Sequence, residues 1–117
     1  MAKILIVDDS PTDRALIRET LESGGHQIAS ANDGSEALGA IERENPDLVL
    51  LDVVMPGENG FKVCRALKKK MSSLRVVLVT SKDGESDKFW GMKQGADGYI
   101  TKPFEAAELL QTVRQFV

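Results

Sequence analysis

The chain has 117 residues, of which 42% are hydrophobic and 28% are charged. This composition is typical of a soluble globular protein, and we predict one domain over residues 1–117. The formal net charge of −3 argues against direct binding of nucleic acid, because it provides no basic surface for phosphates. The lone Cys64 excludes an internal disulfide, and no apolar run has membrane-spanning length. We therefore expect a cytoplasmic protein without membrane insertion.

The first half of the chain predicts strands that alternate with helices. Ser10 is a suitable helix N-cap and Pro11 a suitable first helical residue, while Gly24 ends the helix. The buried face of this helix is predicted to carry Leu16, Ile17, Thr20 and Leu21. In order, the predicted elements are a strand at 3–7, a helix at 11–23, a weaker strand at 26–31, a helix at 35–44 and a strand at 48–51.

The second half continues the alternation. The predicted elements are a helix at 61–69, a strand at 75–80, a helix at 86–94, a short strand at 98–101 and a helix at 105–117. Along the fourth helix and just after it, Phe89, Met92 and Ala96 mark a buried stripe. Trp90 lies one residue off that stripe, so we expect it to pack at the edge of the core. It is also the best candidate for a partner contact, because aromatic side chains carry much interface energy.

Strands that alternate with helices predict right-handed crossovers and an α/β fold with helices on both faces of a parallel sheet. The strands that begin near residues 4, 48 and 76 are the most apolar and should be central, whereas those near 26 and 98 should be edges. The resulting order is 2-1-3-4-5. This is the flavodoxin-like, doubly wound (βα)5 arrangement, with its switch point between strands 1 and 3.

Acidic residues follow the first and third strands. Asp8 and Asp9 come directly after strand 1, and Asp52 comes directly after strand 3. An Asp-Asp pair alone is commonly a turn or capping feature. Two like charges about 4 Å apart repel by roughly 4 kcal/mol at an effective dielectric constant near 20, so three converging carboxylates need a cation. Carboxylates, a backbone carbonyl and water suit Mg²⁺.

Two further residues are expected at the same edge of the sheet. Lys102 precedes a proline at the end of strand 5, where extended geometry would let its ammonium reach Asp52; the alternative is an ordinary surface lysine. Thr80 ends strand 4 and either bonds the local backbone or donates to an oxygen placed on Asp52. A nucleophilic carboxylate beside Mg²⁺, a lysine and a hydroxyl indicates phosphoryl transfer.

Over its whole length, the sequence resembles the response-regulator receiver domains. The marks of that family stand in order: Asp8-Asp9, Asp52 within LLDVVMPGENG, Val79-Thr80-Ser81, and Gly95-Ala96 through Tyr99 to Lys102-Pro103-Phe104. The resemblance implies that Asp52 accepts a phosphoryl group from the phosphohistidine of a sensor histidine kinase or histidine phosphotransfer protein. It implies a self-modifying switch, not a turnover enzyme. Residues 87–103 are also similar to regulators of twitching motility in type IV pilus systems.

The resemblance also implies roles for the other site residues. Asp9, Asp52 and the Val54 carbonyl would hold Mg²⁺, with Asp8 assisting through water. Lys102 and Thr80 would bind phosphoryl oxygens, and the Lys102–Pro103 peptide would be cis. After phosphorylation Thr80 would move inward and Tyr99 would follow. This would change the surface of helix 4, strand 5 and helix 5 for a downstream protein target, in a monomer or a weak phosphorylation-dependent dimer.

Two residues depart from the commoner pattern. Val54, two residues after Asp52, has no polar side chain to orient a hydrolytic water, and Lys82, two residues after Thr80, is cationic. We therefore predict slow self-dephosphorylation. Three alternatives remain: a receiver cut from a longer regulator with a DNA-binding or enzymatic output domain, a haloacid-dehalogenase-type phosphatase, and a flavodoxin-like cofactor binder. The phosphatase needs an acid where Val54 stands, and the cofactor binder needs a phosphate-binding loop where Asp8 and Asp9 stand.

Overall fold

The computed structural model describes residues 2–117 and has a five-stranded parallel sheet with helices on both faces. The sheet strands are β1 Lys3–Val7, β2 Gln27–Ala31, β3 Leu48–Leu51, β4 Arg75–Thr80 and β5 Gly98–Thr101. The helices are α1 Pro11–Ser23, α2 Gly34–Glu44, α3 Gly60–Lys70, α4 Glu85–Lys93 and α5 Ala106–Phe116. The strand order is β2-β1-β3-β4-β5, which confirms the predicted order and the flavodoxin-like α/β fold. Between residues 2 and 117 no helix has the length and apolar character that a membrane crossing needs.

The central strand β3 aligns the strand ends that carry the acidic residues. It pairs in parallel with β1 on one side and β4 on the other, and Leu51 is in register with both Val7 and Leu78. All four residues of β3 are buried. Because parallel strands end at the same edge of a sheet, the residues after β1, β3 and β4 emerge beside one another.

Alternate residues of β3 face two separate hydrophobic clusters. Val49 and Leu51 pack with α2 and α3 on one face, and Leu48 and Leu50 pack with α1 and α5 on the other. A strand buried on both faces must be continuously apolar, which explains the run at 48–51. The sheet is therefore a rigid base for the residues at its carboxyl edge.

The predicted buried faces of α1 and α4 are partly wrong. Leu16 of α1 is 53% exposed, and in α4 Phe89 is 63%, Trp90 52% and Met92 49% exposed. Helix α4 instead packs against the sheet through Gly91, where a Cβ would lie 2.6 Å from Leu78 Cδ1. The close backbone approach at Gly91 turns the large apolar side chains of α4 outward. Trp90 therefore does not pack at the core edge as predicted.

The loop after β3 has secondary structure that no local sequence pattern predicts. Val54–Met55 and Glu58–Asn59 form a short antiparallel ladder. Gly57 turns this ladder with a φ of +72°, a conformation that suits glycine. The Glu58 carboxylate accepts a hydrogen bond from the Gly34 N–H at 2.9 Å, which ties the loop to the start of α2.

Asp97, just before β5, joins three segments of the chain. Its Oδ2 accepts hydrogen bonds from the Val76 N–H at 2.9 Å and from Lys68 Nζ at 3.1 Å, and its Oδ1 accepts from Arg75 at 3.4 Å. Burial acts to raise the pKa of Asp97, but the Val76 amide and the two cations outweigh burial, so the pKa lies below its usual value. The ionised carboxylate therefore stabilises the folded chain.

Candidate functional site

Two buried carboxylates stand side by side at the carboxyl edge of the sheet. Asp8 follows β1 and Asp52 follows β3, with only 2% and 9% of their side chains exposed. The Ser10 N–H donates to Asp8 Oδ1 at 2.9 Å, and the Val54 N–H donates to Asp52 Oδ1 at 2.9 Å. The local backbone thus fixes one oxygen of each carboxylate and leaves the other oxygen facing the pocket.

The Lys102 ammonium lies between these carboxylates. Its Nζ donates to Asp8 Oδ2 at 2.7 Å, to Asp13 Oδ2 at 2.8 Å and to Asp52 Oδ2 at 2.9 Å. Lys102 is held there by its N–H bond to the Thr80 carbonyl at 2.8 Å, and the peptide that follows it is cis, as expected. The structure therefore places Lys102 in the pocket and not on the open surface.

Electrostatics in the pocket follow from burial and from this ammonium. Burial raises the pKa of Asp8, although the hydrogen bonds from Lys102 and Ser10 act to lower it. Burial acts to lower the pKa of Lys102, but the carboxylates of Asp13, Asp8 and Asp52 outweigh burial, so the lysine pKa is raised. Lys102 is therefore charged over the whole range in which proteins function.

The third carboxylate of the pocket belongs to Asp13, which is not among the predicted site residues. Carboxylate oxygens of Asp8, Asp13 and Asp52 all lie within 4.8 Å of one another. Asp9 is exposed and lies outside this group. The signal that could have identified Asp13 is its position in the first turn of α1, because α1 begins at Pro11, shortly after β1 ends at Val7.

The donor set in the pocket fits Mg²⁺. Hard divalent cations of this size take carboxylate and carbonyl oxygens, and the pocket holds buried carboxylate oxygens at short mutual distances. An ammonium already lies at 2.7–2.9 Å from these oxygens, so the cluster accommodates a cation within the folded structure. The predicted ligand roles of Asp8, Asp9, Asp52 and the Val54 carbonyl remain proposals.

A glycine shapes the loop that carries the Val54 carbonyl. The Gly60 N–H donates to the Val53 carbonyl at 3.2 Å. A Cβ on Gly60 would lie 2.8 Å from Val53 Cβ and 2.9 Å from the Asp52 carbonyl oxygen, so no side chain fits there. The loop can return this closely under Asp52 only because residue 60 is glycine.

Thr80 and Tyr99 both bond to the backbone of Lys82. Thr80 is fully buried at the end of β4, and its Oγ1 accepts from the Lys82 N–H at a long 3.5 Å. Tyr99 Oη donates to the Lys82 carbonyl at 2.6 Å. Burial, and then the negative charges of Asp87, Asp52 and Asp83, raise the pKa of Tyr99 to about 12. Thr80 thus makes the local backbone contact that was one of its two predicted alternatives.

Two shallow cavities flank the pocket. One, of about 400 Å³, has Val54 and Lys82 on its walls, and both residues are exposed. The other, of about 330 Å³, lies between α1 and the turn after β5 and is lined by Asp13, Leu16, Ser81, Lys102, Pro103 and Phe104. Asp13 and Lys102 of the acidic pocket belong to this second lining, so the pocket can be approached from that side.

Known proteins are similar to this chain over nearly its whole length. The family model described as the response regulator receiver domain matches residues 4–114. The chain belongs to the response regulator receiver family. This receiver domain is 48% identical over 115 residues to protein PilH of Pseudomonas aeruginosa, and the match covers 97% of this chain and 95% of PilH. The resemblance predicted from the sequence motifs is thereby confirmed.

Solved structures of similar sequence have the same fold as this receiver domain. The chemotaxis protein CheY4 of Vibrio cholerae is 32% identical, with a TM-score of 0.93 over 100% of this chain and 99% of CheY4. The BeF3-activated receiver domain of DrrB is 31% identical, with a TM-score of 0.89 over 99% of this chain and 97% of DrrB. This chain thus has the fold of a CheY-like receiver, with the pocket at the carboxyl edge of its sheet.

Proposed function

We propose that this receiver domain accepts a phosphoryl group on Asp52 from a histidine kinase or histidine phosphotransfer protein, and so controls a downstream protein. The observation that carries the proposal is the position of Asp52. Its carboxylate is buried at the tip of the central strand, with one oxygen on the Val54 N–H and the other on Lys102. Such an oriented carboxylate beside a fixed cation is suited to attack phosphorus.

The proposed transfer exchanges one bond for another. An oxygen of Asp52 forms a bond to phosphorus while the bond from phosphorus to the donor histidine breaks, and the histidine nitrogen keeps the bonding electron pair. Lys102 is already 2.9 Å from Asp52 Oδ2 and is proposed to bind a phosphoryl oxygen. Thr80 is proposed to bind another. The receiver catalyses only its own modification, so we do not propose a turnover enzyme.

Mg²⁺ is the proposed cofactor. When bound, it would neutralise phosphoryl oxygens, which is the main requirement of this chemistry. Asp9, Asp52 and the Val54 carbonyl are proposed to hold it, with Asp8 assisting through water. The buried carboxylates of Asp8 and Asp52 support this, whereas Asp9, being exposed, would have to turn toward the pocket.

The cavity between α1 and the turn after β5 is a suitable place for the phosphodonor protein. Leu16 is 53% exposed on α1, and it lines this cavity together with Pro103, Phe104 and Lys102. An apolar wall beside a reactive carboxylate would let a partner exclude water while its phosphohistidine approaches Asp52. The BeF3 activation named for the related DrrB receiver supports the proposed phosphoacceptor site, since BeF3 resembles a phosphoryl group.

The proposed output surface consists of α4, β5 and α5. Lys82 links Thr80 to Tyr99 through its backbone, so a displacement of Thr80 would reach β5 directly. On α4, Trp90 stands between two other exposed apolar residues, Phe89 and Met92. Adjacent exposed aromatic side chains commonly mark a protein interface, and Trp90 and Tyr99 are therefore proposed as partner contacts.

The biological setting is proposed from the relatives. Similarity to PilH and the resemblance of residues 87–103 support a chemotaxis or twitching-motility pathway. We propose a cytoplasmic location because Cys64 is a free, buried cysteine, as suits a reducing compartment. We also propose a monomer or a weak phosphorylation-dependent dimer, without direct contact to nucleic acid or membrane.

The phosphoryl group is proposed to be long-lived. Val54 cannot orient a hydrolytic water, and the cationic Lys82 lines the same cavity as Val54. The Val54→Asn variant should therefore lose its phosphoryl group faster than the natural sequence. Intact mass spectrometry measures this loss, and equal rates of phosphoryl loss in the two proteins would remove the assigned role from Val54.

The proposed function is tested by intact mass spectrometry after incubation with Mg²⁺ and acetyl phosphate or phosphoramidate. The natural sequence should gain one phosphoryl group, and Asp52→Ala should gain none. A natural sequence that stays unmodified would contradict the proposal. Sustained release of phosphate from varied phosphate esters would instead favour the phosphatase alternative.

A further inference from the structure

We propose that Asp13 is a positioning residue that holds the Lys102 ammonium in the pocket while Asp8 and Asp52 serve the phosphoryl reaction. The inference rests on the proposed function. Asp13 Oδ2 accepts from Lys102 Nζ at 2.8 Å, as close as the contacts to Asp8 and Asp52. The two residues are 89 positions apart in sequence, so the fold, not chain proximity, brings them together.

The Lys102 ammonium has as many N–H donors as it has carboxylate partners. A lysine ammonium has three N–H donors and no acceptor. In the structure three different carboxylates take one contact each, and only 14% of the Lys102 side chain is exposed. Two of these carboxylates have competing roles, because Asp52 is the proposed phosphoacceptor and Asp8 is proposed to assist with Mg²⁺. Asp13 is the carboxylate of the three that has no other proposed role.

Asp13 is itself fixed in place. It lies in the first turn of α1, after Pro11, and its N–H donates to Ser10 Oγ at 3.2 Å in the helix cap. The Ser10 N–H in turn donates to Asp8 Oδ1 at 2.9 Å. One cap therefore positions both Asp8 and Asp13 relative to Lys102, and a carboxylate on this rigid turn can hold the lysine from the side of α1.

The first test observes the lysine directly. In a ¹H–¹⁵N spectrum of lysine ammonium groups, assigned with Lys102→Arg, the Lys102 signal should be slow to exchange in the natural sequence, because its donors are engaged. Asp13→Ala should broaden or lose this signal, and Asp13→Glu should retain it. The control is Glu19→Ala, which removes the same charge from an exposed position of the same helix. An unchanged Lys102 signal in Asp13→Ala would overturn the inference.

The second test measures the initial rate of phosphorylation by acetyl phosphate with Mg²⁺. Because Asp13 is 39% exposed, its contact is partly screened, and we expect Asp13→Ala to be about threefold to tenfold slower. Asp13→Glu and Glu19→Ala should stay within about twofold of the natural sequence. In the Lys102→Ala background, Asp13→Ala should cause no further loss, because the proposed effect of Asp13 passes through Lys102.

The outcomes separate the two proposals. A natural sequence that accepts no phosphoryl group contradicts the proposed function, while the ammonium spectrum still decides whether Asp13 holds Lys102. The positioning role is overturned if the natural sequence is phosphorylated and Asp13→Ala is phosphorylated at an equal or higher rate. It is also overturned if Asp13→Ala slows phosphorylation as much in the Lys102→Ala background as in the natural sequence. If Lys102→Ala accepts no phosphoryl group, the spectrum alone decides.

Discussion

Replacing Lys102 with methionine removes one charge from the acidic pocket and keeps a side chain of similar length. In the structure the ammonium lies 2.7 Å from Asp8 Oδ2 and 2.9 Å from Asp52 Oδ2, and both carboxylates are almost completely buried. The variant leaves these two like charges adjacent and without the cation that contacts them. We therefore expect the folded state to be destabilised.

The magnitude follows from burial. Removing one partner of a buried ion pair costs about 3–5 kcal/mol. The contact with Asp13, which is 39% exposed, adds little to this. Burial already raises the pKa of Asp8, so protonation of Asp8 provides partial relief. We expect the free energy of unfolding to fall by about 3 kcal/mol at pH 8. A carboxyl group whose pKa is raised by folding destabilises the folded state increasingly as the pH rises from its unfolded-state pKa to its folded-state pKa, so the deficit should shrink as the pH falls through that interval.

Urea unfolding followed by circular dichroism measures this change, with and without Mg²⁺. Mg²⁺ should stabilise Lys102→Met more than the natural sequence, because the lysine no longer competes for the same carboxylate oxygens. The matched control is Lys82→Met, an exposed lysine beside the pocket, which should change stability by less than about 0.5 kcal/mol. A loss below about 1 kcal/mol in Lys102→Met, or Mg²⁺ stabilisation no larger than in the natural sequence, would refute this reasoning.

Further predictions concern two pairs of variants, all measured by urea unfolding. Gly60→Ala should lower the free energy of unfolding by about 3 kcal/mol or more, because its Cβ would collide with backbone beside the pocket. Gly39→Ala should raise it by about 0.5–1 kcal/mol, since Gly39 is exposed in α2 and its Cβ would meet nothing within 4 Å; equal effects of the two substitutions would contradict the packing described. Asp97→Asn should cost about 1–2 kcal/mol at pH 7, where the lowered pKa of Asp97 stabilises the fold, and the cost should vanish as the pH falls through that pKa. The control is Asp47→Asn, because the Asp47 carboxylate also accepts a hydrogen bond from a strand N–H, that of Lys3, at 2.9 Å. This variant should lose less stability than Asp97→Asn. A loss of stability in Asp97→Asn that does not depend on pH would count against the ion pair.

The sheet could be predicted from the sequence because its signals are local. The apolar runs of β1, β3 and β4 are continuous, because a strand that is buried on both faces must consist almost entirely of apolar residues. The pocket could be predicted in part for the same reason, since Asp8 and Asp52 directly follow those runs. Lys102 was predicted from its position before a proline at a strand end, and the structure places it in the pocket.

The remaining features depend on contacts that no local pattern contains. The faces of α4 depend on the close approach of Gly91 to Leu78, and this reverses the expectation for Phe89 and Trp90. Asp13 follows the ordinary pattern of an acid in a first helical turn, and its contact with a lysine from the far end of the chain is a tertiary event. Sequence periodicity cannot detect either kind of contact.

The most direct test of the central claim is to locate the phosphoryl group by chemical reduction. Borodeuteride converts an aspartyl phosphate to homoserine, and peptide mass spectrometry then identifies the residue that was modified. We predict deuterated homoserine at Asp52 after incubation with acetyl phosphate and Mg²⁺, and none in the untreated protein. Homoserine at Asp8, Asp9 or Asp13, or at no aspartate of the phosphorylated protein, would contradict the assignment of Asp52 as the phosphoacceptor.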